Sequence, residues 1–243
     1  MDKPRIRIDQ LFYSYPDGWK VISDLSLEIK KGSTVALVGA NGSGKTTLLW
    51  LIAGLLKAET GSIYIDEIRM EPRTVRTLQR RLGLAFQNPD DQLFMATVRQ
   101  DVEFGPRNLF YPEAEITRRA TEAMTKTSCL YLADRPPYRL SGGEKRLVSL
   151  ATLLATDVEI LLLDEPTNAL DPRSRRNTIN LLKALPHTKL IATHDLDMVL
   201  DICDEVILLN QGRLAGRGPS QDILRDQPLL EAAGLELPLS LQR

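Results

Sequence analysis

Along this chain the spacing of apolar positions changes period several times, and the changes divide it into parts. From residue 5 to 30 apolar and polar residues alternate, the period of half-buried strands: Ile6 and Ile8, Leu11 to Tyr15, Val21-Ile22, and Leu25 to Ile29. Pro16-Asp17-Gly18 punctuates them as a turn, so the opening predicts an antiparallel sheet. Val35 to Val38 is instead a continuous run, the mark of a buried strand, and Leu48, Leu49, Ile52 and Ala53 behind it recur at helical spacing. Gly54 stops that helix, and Gly61 to Asp66 and Leu82 to Phe86 predict two more strands. Between 90 and 139 strand runs vanish. Thr97 to Val102 predicts a helix that Gly105-Pro106 breaks, and Glu113 to Leu132 a charged amphipathic helix with Ile116, Ala120, Ala123, Met124 and Thr127 on one face. Pro136-Pro137 ends this stretch. A helix carrying Leu147, Leu150, Ala151 and Leu154 follows. Strands then resume at Glu159 to Leu163, Lys189 to Thr193 and Asp204 to Asn210, the last turning at Gln211-Gly212 onto a partner at Arg213 to Ala215. A helix before Pro186 separates two of them, and from Pro219 the chain predicts short helices and a loose end.

The pattern places the chain in the α/β class, with an antiparallel β part at its start and an inserted helical part. The expected division is one domain over 1–243, its core formed by 1–87 and 151–243 and its helical part by 88–150. A length of 243 residues with 43% apolar residues supports a full core. The formal net charge of −1 argues against a polyanion-binding protein as a whole. The two cysteines, Cys129 and Cys203, have no metal-ligand spacing, so neither a disulfide framework nor a zinc site is expected and a reducing compartment is. Met1-Asp2-Lys3-Pro4 leads into no apolar segment of signal-peptide type. The longest apolar run, Leu48 to Leu56, falls short of the roughly 20 residues of a spanning helix, so membrane association is expected through a partner.

The chemistry concentrates where strands end. After Val38 comes Gly39-Ala40-Asn41-Gly42-Ser43-Gly44-Lys45-Thr46-Thr47, the pattern G-x-x-x-x-G-K-[ST] between a strand and a helix. Glycines let several backbone N–H groups converge on one anion, and the helix N-terminus adds partial positive charge. Lys45 is placed to reach β- and γ-phosphates and Thr46 to offer its hydroxyl to Mg²⁺. Asp164 and Glu165 end another apolar strand: Asp164 suits Mg²⁺, and Glu165 suits a base that activates water. Gln87 and His194 stand at further strand ends, each with two readings: Gln87 a turn residue or a ligand contact, His194 a structural residue or a contact to the γ-phosphate. His187, beside Pro186, carries no such case. Tyr13 and Tyr15 lie on one side of a strand, where a tyrosine either stacks on adenine or packs across strands. Asp90-Asp91 reads as a metal pair or as a helix start favoured by the dipole. Ser141 and Glu144 form a capping box, yet Gly142-Gly143 are poor helix formers, which fits close approach by a second phosphate contact. Asp171, alone, reads as an N-cap.

Taken in order, these motifs resemble the ATPase subunits of ABC transporters over roughly residues 5 to 235. On that resemblance Tyr15 matches the adenine-stacking aromatic and Gly39 to Thr46 the phosphate loop. Gln87 matches the Q-loop glutamine, which joins Thr46 and Asp164 at the metal. Leu140 to Glu144 match the signature, Asp164 and Glu165 the Mg²⁺ aspartate and catalytic glutamate, Ala169-Leu170-Asp171 the D-loop, and His194 the switch histidine. Glu144 departs from the glutamine usual at its position. The resemblance implies a P-loop NTPase (RecA-like) core, ATP and Mg²⁺ as cofactors, and two copies facing head to tail. Each ATP would lie between one chain's phosphate loop and the other's Ser141-Gly142-Gly143. The stretches Phe86 to Phe94, Thr97 to Pro106 and Ala232 to Pro238 are similar to the energy-coupling-factor importers of vitamins and metal ions, and the short tail to the cobalt and nickel systems among them. The resemblance therefore implies a peripheral subunit on the cytoplasmic face of the membrane. Its partners would be a transmembrane coupling protein and a membrane substrate-binding protein, with no nucleic acid. Rival classes are a soluble ABC ATPase on DNA or ribosomes, which usually carries a long coiled-coil insertion or paired ATPase halves, the ATPase of a conventional ABC transporter, and a P-loop kinase or switch.

Overall fold

The computed structural model of the chain describes residues 3–242, so the expectation placed on Met1 and Asp2 lies outside the described residues. The alternating opening folds into two long antiparallel strands, β1 (Pro4–Ser14) and β2 (Lys20–Lys30), rather than four short ones. The apparent breaks are irregularities in pairing: Gln10 (φ 45°) and Asp24 (φ 52°) shift the alternation by a residue without ending the strand. The Pro16-Asp17-Gly18 turn closes on two backbone bonds, Tyr15 N–H to Trp19 O and Gly18 N–H to Tyr15 O, both 2.9 Å.

The fully buried β3 (Thr34–Val38) leads through the glycine loop into α1 (Lys45–Ile52). Next come β4 (Thr60–Ile65), the short β5 (Ile68–Arg69), α2 (Val75–Gln79) and β6 (Leu82–Ala85). Three longer helices follow: α3 (Val98–Asn108), α4 (Glu113–Lys126) and α5 (Gly142–Leu154). The chain then alternates β7 (Ile160–Asp164), α6 (Pro172–Ala184), β8 (Thr188–Ala192), α7 (Leu196–Ile202) and β9 (Glu205–Asn210). It finishes with β10 (Arg213–Pro219), α8 (Ser220–Ile223) and α9 (Gln227–Ala232).

These strands make two sheets, an antiparallel one in the order β2-β1-β4-β5 and a mixed one in the order β10-β9-β3-β8-β7-β6. In the second, β9, β3, β8, β7 and β6 are parallel and only β10 is antiparallel. Period-2 alternation splits its buried residues between two cores. Val35, Leu37, Ile160, Leu162 and Leu190 face α1 and the antiparallel sheet. Ala36, Val38, Leu161, Leu163 and Ile191 face α6, α7 and the C-terminal helices. The fold is thus the P-loop NTPase α/β arrangement with an antiparallel β part. A third core, with Val98, Val102, Ala123, Met124 and Val148, joins α3, α4 and α5.

Four boundaries differ from expectation. α4 stops at Lys126, because the Thr127 hydroxyl bonds back to Ala123 O (3.0 Å) and Ser128 turns to φ 57°; Leu130–Leu132 is a separate 3-10 turn. α3 runs through Gly105-Pro106 to Asn108, since a proline in the last turn forfeits few helical bonds and Pro106 is buried. β10 extends to Pro219. The short helices expected after Pro219 form, but the end behind them is not loose: Leu235 and Leu237 pack against the second core. Among the described residues no helix is long and apolar enough to cross a membrane.

Candidate functional site

Parallel strands put all their C-terminal ends on one edge, and β3, β6, β7 and β8 therefore deliver the glycine loop, Gln87, Asp164-Glu165 and His194 to the same side of the sheet. The loop after β3 is braced from within. Lys45 Nζ donates to Gly39 O (2.7 Å) and Ala40 O (3.1 Å), and Gly212 N–H donates to Ser43 O (3.1 Å). Gly39 admits no side chain, because a Cβ there would stand 2.3 Å from Leu209 O and 2.6 Å from the Ser43 hydroxyl. The helix α1 starts at Gly44, in the left-handed region at φ 101°, with no side chain capping its first turn. Its free N–H groups therefore face the site, as an anion-binding helix start requires.

The resulting cavity encloses about 430 Å³. On one side stand Asn41, Gly42, Gly44, Lys45, Thr46 and Thr47; opposite them are Gln87, Asp164 and Glu165. Tyr15 and Trp19, from either side of the first turn, form its outer wall. The Tyr15 and Thr47 hydroxyls lie 3.1 Å apart, and the Tyr15 ring meets Tyr13 edge-on with centroids 5.2 Å apart. Tyr13 packs in the core, and Tyr15 lines the cavity.

Charge is concentrated where the cavity is deepest. Burial pushes the Lys45 ammonium below its ordinary value, against the pull of Glu165 and Asp164. Burial likewise raises the Asp164 carboxyl, against the lowering pull of the nearby Thr46 hydroxyl. A buried carboxylate beside a hydroxyl, with an amide lining the same space, is a hard oxygen-donor set that fits Mg²⁺ shared with phosphate oxygens. Glu165 has φ 46°, a sparsely populated conformation for a residue with a side chain. Its N–H is held by Ala192 O (2.8 Å). Its Oε2 accepts from the Thr193 hydroxyl (3.1 Å) and the His194 N–H (3.3 Å), and His194 Nδ1 stands 2.9 Å from it. None of these bonds uses Oε1, and the His194 ring is 59% exposed, so its other edge stays available.

Ser141, Gly142, Gly143 and Asp171 are not brought to this cavity. The capping box is present: Glu144 N–H donates to Ser141 Oγ (3.3 Å) and Ser141 N–H to Glu144 Oε2 (2.8 Å). That backbone bond holds the Glu144 carboxyl below its ordinary value, so the departure from glutamine strengthens the cap. The two glycines separate in role. A Cβ on Gly143 would lie 2.3 Å from the Ser174 hydroxyl of α6, an intramolecular approach, whereas a Cβ on Gly142 would meet nothing within 4 Å. Only Gly142 is left open to a ligand. Asp171 caps α6, accepting from Arg173 N–H (3.0 Å) and Ser174 N–H (3.1 Å). Asp90 and Asp91 stand in the first turn of a 3-10 helix, the position of the helix-start reading, and Asp90 pairs with Lys145 (2.6 Å). His187 stands apart, beside Lys189.

Three supports escaped the sequence reading. Thr193 fixes Glu165. Asp195 caps α7 and pairs bidentately with Arg175 (2.7 Å each), holding the residue after His194 against α6. Arg146, 1% exposed, donates to Phe86 O (2.8 Å), Gln87 O (2.6 Å) and Glu165 O (3.4 Å). Burial lowers its guanidinium to about 10, which leaves it charged at neutral pH. The available signal was helical spacing: the inward face of α5 runs through Gly143, Arg146 and Leu150, while Leu147 is only half-buried.

Comparison with known proteins agrees with this geometry. The ABC transporter family profile matches residues 22–168. An ABC transporter ATP-binding protein of Geobacter sulfurreducens is 46% identical over 98% of this chain and 95% of its own length. The energy-coupling factor transporter ATP-binding protein EcfA of Methanothermobacter thermautotrophicus is 40% identical over 96% of this chain and 76% of its own length. Among solved structures, cbiO1 of Clostridium perfringens, part of the ABC transporter complex cbiONQ, superposes with a TM-score of 0.84 at 35% identity over 94% of each chain. A bacterial ABC transporter cassette solved as a dimer gives 0.80 at 28% identity, covering 88% of this chain and 98% of that one.

Proposed function

The chain belongs to the ABC transporter ATP-binding family, and from that premise we propose that it is the ATP-hydrolysing subunit of an energy-coupling-factor importer. The observation that carries the chemistry is the single cavity uniting Lys45, Thr46, Asp164 and Glu165 beneath Tyr15. ATP lies with its adenine on Tyr15 and its phosphates on the uncapped start of α1, where Lys45 exchanges its two carbonyl partners for β- and γ-oxygens. Thr46 and Asp164, with Gln87, would hold Mg²⁺, and the ion would neutralise charge on the phosphate oxygens. Glu165 takes the proton of the attacking water through its free Oε1, and His194 fixes that carboxylate while its exposed edge faces the γ-phosphate.

Gly142 is exposed, meets nothing within 4 Å of where a Cβ would stand, and does not line this cavity. Two copies placed head to tail bring Ser141, Gly142 and Gly143 of one onto the nucleotide of the other, with Asp171 beside the junction. The segment 88–150 serves as a helical subdomain that carries these residues. The subunit docks on a transmembrane coupling protein at the cytoplasmic face, near Gln87 and the helical part. The likeness to EcfA and to cbiO1 supports the energy-coupling-factor type, and with it a cobalt or nickel ion, or a vitamin, as cargo.

The test is to tag the chain, solubilise its membranes in mild detergent and identify what co-purifies. A transmembrane coupling protein with a small membrane-embedded binder supports the reading, and the binder's ligand names the cargo. Conventional permease subunits would keep transport and overturn the type. A soluble complex with nucleic acid or ribosomes would overturn transport itself.

A further inference from the structure

Arg146 lies one turn into α5, yet its guanidinium bonds none of that helix's neighbours in the third core. It reaches instead to the ends of two strands, at Phe86 O and Gln87 O after β6 and at Glu165 O after β7. Among the described residues no carboxylate lies within ion-pair distance of it, and its Nε is buried without a partner. A charge so placed is costly to desolvate; the nearby charges of Asp164 and Glu165 offset part of that cost, and the hydrogen bonds it makes go to those carbonyls. A planar fork fixes direction as well as distance, which a lysine cannot do. The ties are reinforced nearby. The Ser149 hydroxyl donates to Gln92 Oε1 (2.8 Å) and Gln92 Nε2 to Ser149 O (3.0 Å), so α5 and the segment after Gln87 form one unit. Glu165, the far end of the link, is itself held at a positive φ of 46°.

Resting on the two-chain reading above, we propose that Arg146 is a positioning residue that couples the two nucleotide sites. Nucleotide held at Ser141-Gly142-Gly143 by one face of a chain fixes the start of α5. Arg146 passes that position to Gln87 and Glu165 of the same chain, which serve the other nucleotide. Each chain then aligns its own base only when its signature turn is occupied. The coupling has a physical carrier of about one helical turn, from Gly142 to Arg146, and needs no change elsewhere in the fold.

The experiment measures ATP turnover against ATP concentration for the wild-type protein, R146K and D90A. D90A removes only the exposed pair with Lys145. The expected result is positive cooperativity in wild type and D90A. In R146K the Hill coefficient falls towards one and kcat drops roughly 10–100-fold, while single-protomer affinity for a fluorescent ATP analogue stays within about twofold. In the E165Q background, R146K should still dimerise with ATP. R146K with unchanged Hill coefficient and kcat per folded protomer would overturn the inference and leave Arg146 as packing. Absence of both cooperativity and ATP-driven dimers in proteins retaining Arg146 would instead bring down the two-chain reading on which it rests. A second measurement keeps Arg146 in place: hydrogen exchange on E165Q titrated with ATP. Protection at 142–146, 87–88 and 165–167 with one shared midpoint supports the link, and separate midpoints contradict it.

Discussion

Glu165 combines a strained backbone with a carboxylate whose Oε2 is saturated by Thr193 and His194. Strain at such a residue persists only where its surroundings over-determine it, and here bonds to Ala192 O and from Arg146 do so from both sides. If Glu165 is the base, E165Q should keep nucleotide affinity and slow hydrolysis by about 10²–10⁴-fold, as measured by single-turnover release of phosphate. Near-normal turnover would remove Glu165 from the mechanism. The residues gathered at the cavity were readable because phosphate-binding chemistry demands fixed types at fixed spacing after a strand. The supporting residues were not. Arg146 is satisfied by carbonyl groups that every residue carries, so no spacing in the sequence betrays its partners. Thr193 was visible only as the end of a strand.

At the scale of elements, α5 and α6 touch so closely at Gly143 that a methyl group would stand 2.3 Å from Ser174 Oγ and 2.7 Å from its Cβ. G143A should therefore cost about 1–3 kcal/mol of stability in denaturant titration, and S174G should recover part of it, a coupling that independent sites do not show. G142A should leave stability near wild type and weaken ATP-driven association instead. Equal losses of stability at both glycines would contradict the division of roles. The Arg175–Asp195 pair clamps α6 to the start of α7. Burial alone would raise the Asp195 carboxyl, but bonds from Arg175, the Met198 N–H and Thr167 outweigh it and hold it below its ordinary 3.8. A lowered carboxyl contributes stability above that ordinary value and loses it as pH falls through the folded-state value. D195N should thus cost about 1–3 kcal/mol at pH 7 and flatten the loss of stability below about pH 4, read from melting temperatures across pH. Elements were legible wherever one period ran unbroken, as in β3, β7, β8 and α1. They were misread where tertiary contacts override a local signal: bulges at Gln10 and Asp24 split two strands on paper, and buried Pro106 looked like a break.

The whole molecule presents two surfaces that one chain cannot use on one nucleotide: the cavity at the phosphate loop, and the exposed turn at Ser141-Gly142. The mixed sheet fixes the first, and the helical core of α3, α4 and α5 carries the second. The sequence marked both sites but not their separation, because order along a chain does not state distance between strand ends. The head-to-tail pair proposed above would resolve the separation, and one measurement bears on it most directly. E165Q is mixed with ATP and Mg²⁺, then with ADP and with buffer, and its mass is read by size-exclusion light scattering. The account predicts a dimer with ATP alone, weakened in the same protein carrying G142A. A monomer that binds ATP fully and never associates would contradict it.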